Sequence, residues 1–497
     1  MSGTIFDSTE NQAGKPRKCG VLLPIFSLPD AYGIGTIGAV AREFIGYLAS
    51  AGVKVWQILP LLPTSYGDSP YQSVCSYALN YYFIDLQLLK EEGLFTQSEL
   101  NDYAAENAYT SDNSRIDYEK LFRTRVPLLK KGEYYDFALF MSLKTHFSYR
   151  PWQEWGEYAQ FGEEKAEKFA AEHAEEIRFW QFTQYEFLKQ WAQLRKCAED
   201  FGVELLGDMP IYVSGDSVEM WKYGKSLFET DENGRQTQKA GVPPDAFSAD
   251  GQLWGNPVYR WDEMKKNGYR WWKERIRKAL GLFDAVRIDH FRGFDRYFSI
   301  PQNAQTAREG EWKDGPKEAL FEDMKNLPIV AEDLGVIDEG VLRLMKNVGY
   351  PGMRVLEFAF DGNADNTNKP SNSPENSVAY TGTHDNPPFA AYVRSLPESE
   401  KQRFVRDFRD ECKKFGVDSA AVTPEEYCAD AVRLAFASPS YLCVAPLHDL
   451  LALGEEARIN APSTLSTKNW SFRYPKARLL SPEVKETLLR LTFEYRR

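Results

Sequence analysis

The chain reads as a (β/α)8 barrel with large, mostly helical insertions around the C-terminal face of its sheet. Three observations support this: eight short apolar, β-rich runs, helical patterns between most of them, and polar residues collected where the runs end. The runs span residues 20–26, 53–60, 203–213, 284–291, 328–335, 353–360, 377–385 and 441–449. Most are near-continuously apolar, as strands covered on both faces of a parallel sheet are, rather than alternating. A doubly wound sheet is the rival architecture.

The helical patterns come next. Residues 39–51 follow the first run with apolar side chains at helical spacing, and residues 261–280 read as one helix before the fourth. Thr423-Pro424-Glu425-Glu426 has the form of a capping box with proline at the first helical position. About 140 residues separate the second and third runs, roughly half the length of a minimal barrel. Residues 1–497 are therefore expected to form a single barrel domain, with a mostly helical, aromatic-rich insertion subdomain within residues 61–200. Examples of that insertion are PWQEWGEY at 151–158 and the long stretch 172–201. Residues 361–376, rich in Asn, Asp, Pro and Gly, read as an exposed loop after the sixth strand.

Charge and composition remove several function classes. A net charge of −12 leaves no basic surplus to displace phosphate counterions, so no nucleic-acid partner is expected. No apolar run reaches the roughly 18 residues a membrane helix needs. The first 20 residues lack an apolar h-region and read as a flexible polar lead, not a signal peptide. The 6 cysteines are scattered without a C-x-x-C pair, which fits reduced thiols and a cytoplasmic protein. Twelve Trp and 27 Tyr either pack the core or line a sugar-binding groove, and composition does not choose between the two.

Motifs narrow the chemistry. Gly33-Ile34-Gly35-Thr36-Ile37-Gly38 matches the letters of a dinucleotide fingerprint, but six residues part it from its strand and no acidic residue ends the next one. These glycines are expected to shape the first barrel loop instead. The five histidines, His146, His173, His290, His384 and His448, have no metal-ligand spacing. A Mg²⁺ held by Asp208, Asp289 and Glu332 stands as the second-ranked chemistry.

The first-ranked chemistry is glycoside cleavage by paired carboxylates, one ionised to attack the anomeric carbon and one protonated to release the leaving oxygen. Asp289 is the candidate nucleophile, since Arg287 shares its strand face and is expected to hold it ionised. Glu332, ending the next strand, is the candidate proton donor. Its pKa is expected to be raised by the charges of Asp289 and Asp385. Asp385 is then free to bond sugar hydroxyls and favour the oxocarbenium-like transition state. The bland alternative is three unrelated strand-end salt bridges.

At these residues the sequence resembles the amylomaltases, also called 4-α-glucanotransferases or disproportionating enzymes, a glycoside hydrolase family related to α-amylases. The resemblance runs from LPIFSLPDAYGIGTIG (23–38) to NWSFR (469–473). Between them come WQILPL, SPYQS, GDMPIYV, GVPPDAFS, GQLWGNP, VRIDHFRG, AEDLG, FAFDG, YTGTHDN and LGEEARIN followed by AP. It implies a nucleophile at Asp289, an acid/base at Glu332 and a transition-state stabiliser at Asp385. Sugar contacts are implied at Ser69, Tyr71, Trp254, Arg287, Asp361, His384 and Asn460. The resemblance further implies a cytoplasmic enzyme acting on α-1,4-glucans and maltooligosaccharides, with no cofactor and no catalytic metal.

Four positions depart from the family pattern: Ala246 where an aromatic is usual, Pro387-Pro388 after THDN, His448 where Gln is common, and 464–468 in place of a glycine-richer turn. They bear on acceptor and chain-length preference rather than on the reaction. A transferase through a covalent glucosyl-enzyme leads this reading, a hydrolase is the alternative, and a non-catalytic glucan-binding barrel stands third.

Overall fold

Eight parallel strands close into a barrel in the computed structural model, which describes residues 16–110, 113–129, 136–244, 250–335 and 337–497. In chain order the barrel strands are Lys18–Leu22, Val55–Gln57, Glu204–Met209, Ala285–Ile288, Ile329–Ala331, Gly352–Val355, Ser377–Tyr380 and Leu442–Pro446. Six lie within the apolar runs, Lys18–Leu22 and Gly352–Val355 start two and one residues before theirs, and each pairs with its sequence neighbour. The first closes on the eighth, with Lys18 opposite Leu442 and Val21 opposite Ala445. A doubly wound sheet is excluded because no barrel strand is left at an edge. Polar tips inside the wall find partners: Trp56 Nε1 donates to the Leu23 carbonyl at 2.8 Å and the Tyr380 hydroxyl to Gln57 Oε1 at 2.9 Å.

The helices follow their sequence signals closely. Ala39–Ser50 covers the first crossover. The helix Pro424–Ala437 opens on the expected capping box, with Thr423 N donating to Glu426 Oε2 at 2.9 Å and Glu426 N to Thr423 Oγ1 at 3.3 Å. One expectation fails. Residues 261–280 form two helices, Trp261–Lys266 and Arg270–Leu282, because Gly268 and Tyr269 both take left-handed backbone at φ +66° and +59°. The GIGTIG glycines serve the first loop sterically. A Cβ on Gly35 would lie 2.0 Å from the Ile25 carbonyl oxygen, and one on Gly38 would lie 1.6 Å from Asp85 Oδ2.

Within residues 61–200 the described helices are Leu86–Glu91, Gln97–Glu106, Tyr118–Leu129, Asp136–His146, Glu163–Glu172 and Ala174–Phe201. The last buries Ile177, Trp180, Gln184, Phe187, Trp191, Leu194 and Ala198, a stripe at three- and four-residue spacing. Burying each large apolar side chain there contributes about 1.5–3 kcal/mol. Side chains of this region and of the barrel belong to one continuous apolar cluster.

Sequence patterns did not reveal a second sheet. Four antiparallel strands, in the order Gln252–Pro257, Gln238–Val242, Arg296–Pro301 and Glu311–Asp314, stand beside the barrel. Gln238–Val242 and Glu311–Asp314 have no fully apolar face, and the pairing of Gln238–Val242 with Arg296–Pro301 joins segments more than 50 residues apart, so periodicity does not mark this sheet. Ala246 and residues 1–15 of the N-terminal lead lie outside the described residues. Among the described residues no helix is long and apolar enough to cross a membrane.

Candidate active site

The fourth barrel strand ends at Ile288, and the backbone ladder carries on past it. Asp289 N donates to the Met209 carbonyl and Glu332 N to the Ile288 carbonyl, each at 3.0 Å. The candidate nucleophile and acid are thus set on the rim by main-chain bonds before any side chain acts. Arg287, 3% exposed, points into the same space and is shared. Its Nη1 donates to Asp208 Oδ1 at 2.9 Å and Oδ2 at 2.8 Å, while Nη2 donates to Asp289 Oδ1 at 2.9 Å. The Tyr71 hydroxyl donates to Asp208 Oδ2 at 2.6 Å.

Asp208 is therefore the partner that holds the guanidinium flat against Asp289. The third and fourth strands set this by register, which places Asp208 directly opposite Arg287. The same geometry counts against the Mg²⁺ alternative. Between Asp208 and Asp289 stands the Arg287 guanidinium, whose donors already engage both oxygens of Asp208 and one of Asp289. Replacing Arg287 with Met should leave both carboxylates uncompensated and cost about 3–5 kcal/mol of stability, read by urea unfolding.

Burial sets the electrostatics of the two central carboxyls. Asp289 is pushed up to about 6 by burial, with Arg287 opposing and Asp208 and Asp385 adding to the rise. As expected, Arg287 favours the ionised form of Asp289, but burial outweighs it in the net shift. Glu332 is pushed up to about 8, by burial first and the charge of Asp289 second. The expected cause was neighbouring charge, but desolvation leads. Arg287 and two backbone donors oppose the rise: Leu334 N to Oε1 at 2.8 Å and His290 N to Oε2 at 2.6 Å.

Asp385 faces them from the turn that follows the seventh strand, half-exposed, with Asn460 Nδ2 donating to its Oδ1 at 2.6 Å and His384 Nε2 3.3 Å from its Oδ2. Asn460 N also donates to the His384 carbonyl at 3.1 Å. The Tyr71 ring stacks on His384, with centroids 5.1 Å apart and planes 10° from parallel. Trp254, delivered by the second sheet, stands edge-on to His290 at 4.8 Å. Ser69 contributes through the turn beneath Tyr71, its Oγ accepting the Tyr71 N–H at 3.2 Å. Asp361 stands apart from the other sequence-derived residues. It is exposed, accepts the Asn363 N–H at 2.9 Å, and among the described residues has no bond to the carboxylate group.

Sequence reading left His290 without a role. Its backbone is left-handed, at φ +49°, and this turns its N–H onto Glu332. Burial, with Arg292 adding to it, pushes its imidazole down to about 3, so the ring is neutral against Trp254. No spacing or motif signals a histidine in that conformation. Among the described residues no group of three or more His, Cys, Asp or Glu is arranged to hold a metal.

The family model described as 4-alpha-glucanotransferase matches residues 23–134 and 129–479. The chain is 41% identical to the 4-alpha-glucanotransferase of Streptococcus pneumoniae, over 97% of this chain and 98% of that one. It is also 41% identical to the 4-alpha-glucanotransferase of Thermus thermophilus, over 94% and 96%. Among solved structures it is similar to the amylomaltase from Streptococcus agalactiae in complex with acarbose, with a TM-score of 0.88 and 35% identity over 97% of this chain and 99% of that one. The amylomaltase from Corynebacterium glutamicum shares the fold at a TM-score of 0.76 and 17% identity, over 98% and 76%.

Proposed function

Because this chain belongs to the 4-alpha-glucanotransferase family of retaining glycoside hydrolases, we propose that it moves α-1,4-glucan segments between maltooligosaccharide or starch-like chains through a covalent intermediate on Asp289. The observation that carries the mechanism is the placement of Asp289 and Glu332 at adjacent strand ends, with Asp289 bonded to Arg287 and Glu332 raised by burial and by the charge of Asp289. Asp289 is thereby the carboxylate of the pair and Glu332 the one that keeps its proton.

Asp289 attacks the anomeric carbon as the bond to the leaving 4-oxygen breaks, and the Glu332 proton passes to that oxygen. The donor's reducing end departs and its non-reducing segment stays on Asp289. In the second half, the 4-hydroxyl of an acceptor gives its proton to Glu332 and its oxygen displaces Asp289. Two inversions return the α configuration. Arg287 keeps Asp289 oriented through both halves, and Asp385 bonds sugar hydroxyls as the ring flattens. Tyr71 and Trp254 offer flat faces to the sugar, buried His384 backs the Tyr71 ring, Ser69 and Asn460 hold Tyr71 and Asp385 in place, and Asp361 meets a more distant sugar unit from its loop.

Transfer, as opposed to hydrolysis, requires the acceptor to outcompete water at about 55 M, which oriented binding achieves through high effective molarity. The insertion within residues 61–200, which supplies Tyr71, is read as the wall that binds the acceptor. Six free thiols fit a reducing, cytoplasmic setting. The test is incubation with maltotriose. Glucose and a ladder of longer maltooligosaccharides should form with little net gain in reducing ends. Release of reducing ends as fast as bonds break would replace the transferase with the hydrolase.

A further inference from the structure

The NWSFR segment has so far no part in the chemistry, yet it holds one of the more constrained residues of the chain. Trp470 is 5% exposed and sits in left-handed backbone at φ +58°, a conformation costly for a bulky side chain. Strain of that kind persists only where the surroundings over-determine it. Here they do. Trp470 N donates to the Ile459 carbonyl at 2.7 Å, and the Tyr118 hydroxyl donates to the Trp470 carbonyl at 2.9 Å. On either side, Ile116 N donates to the Ser471 carbonyl and Arg473 N to the Ser114 carbonyl, each at 2.9 Å. Arg115 adds bonds from its guanidinium to the Lys468 carbonyl at 2.9 Å and to Ser471 Oγ at 3.3 Å.

The strained backbone aims the indole into the site. Its centroid lies 5.6 Å from the Tyr71 ring and 5.8 Å from the His384 ring, tilted about equally to both, at 42° and 40°. These two rings already stack on each other, so the indole closes a three-ring brace. Tyr71 bonds Asp208, the Arg287 partner, and His384 lies against Asp385. The Ile459 carbonyl that receives Trp470 belongs to the segment whose next residue, Asn460, bonds Asp385.

We propose that Trp470 is a positioning residue for this site: its ring braces Tyr71 and His384, and its backbone ties the segment holding Asp385 to the insertion through Tyr118. The inference rests on the site assignment made above. A positioning role predicts sensitivity to ring shape that a space-filling role does not, because Leu and Phe both fill an apolar site but only Phe offers a flat face.

The experiment compares Trp470→Phe, Trp470→Leu and Tyr118→Phe in the full chain, with maltotriose as donor and acceptor, kcat and KM measured separately, and thermal midpoints recorded. Trp470→Phe should stay within about threefold of the parent in kcat, while Trp470→Leu loses on the order of 100-fold at a similar thermal midpoint. Equal kcat for the Leu and Phe variants overturns the proposal. Should the Leu variant fail to fold, Tyr118→Phe decides. It removes one hydroxyl outside the carboxylate group, and a kcat lowered about threefold or more at unchanged thermal midpoint supports the tie, whereas unchanged kcat overturns it. Asp289→Asn runs beside them as the control on the site itself. Full activity there would remove the site assignment, a result distinct from any difference between the Trp470 variants.

Discussion

Asp289→Asn should yield a folded protein whose turnover of maltotriose is at least about 10⁴-fold slower than the parent. An amide oxygen is too weak a nucleophile to displace a sugar oxygen from the anomeric carbon. The fold should survive because the substitution preserves shape and leaves an acceptor for Arg287, which keeps both bonds to Asp208. Asn has nearly the volume of Asp, so the substitution opens no cavity. Circular dichroism and a thermal midpoint near that of the parent would establish folding. More than a tenth of parental turnover in a preparation free of wild-type enzyme would show that Asp289 is not the nucleophile.

The second large effect concerns Glu332 and pH. For kcat/KM the active form needs Asp289 ionised and Glu332 protonated. Both carboxyls are shifted upward, so activity should rise as pH passes through about 6, where Asp289 ionises, and fall as it passes through about 8, where Glu332 loses its proton. The profile should be a bell centred near neutrality. Glu332→Gln should lower kcat/KM by about 10²–10⁴-fold and abolish the alkaline limb, because Gln has no proton to lose in that range. The acid limb should remain, since Asp289 is untouched. A glycosyl fluoride donor, whose leaving group needs no proton, should restore formation of the intermediate in this variant but not its rapid discharge to an acceptor. An alkaline limb that persisted in Glu332→Gln would assign that limb to another group.

Much of this was legible in the chain itself. Each barrel strand overlaps an apolar run, and the Thr423–Glu426 capping box forms as its spacing implies. Asp289, Glu332 and Asp385 are adjacent because a closed parallel barrel brings the ends of its strands to one face. The single helix expected over 261–280 was misread at Gly268 and Tyr269. A glycine inside a helical pattern is tolerated or not according to what its neighbour's backbone does, and Tyr269 gives no warning of a positive φ.

What the sequence by itself determined, then, is what short-range pattern encodes: eight strands, their order, and which carboxylates stand at their ends. Only the tertiary structure decided how those groups are tuned. Register set Asp208 opposite Arg287 and so made one guanidinium serve two carboxylates. Burial by distant segments, more than any neighbouring charge, raised Glu332, and a left-handed turn aimed the His290 N–H at it. The second sheet brought Trp254 to His290, and a bridge between Arg115 and Phe472 placed Trp470 behind Tyr71 and His384. The physical reason is that propensity and periodicity act over a few neighbouring residues. Desolvation, register and ring packing depend instead on groups tens to hundreds of positions apart, and they take values only once the chain has closed around them.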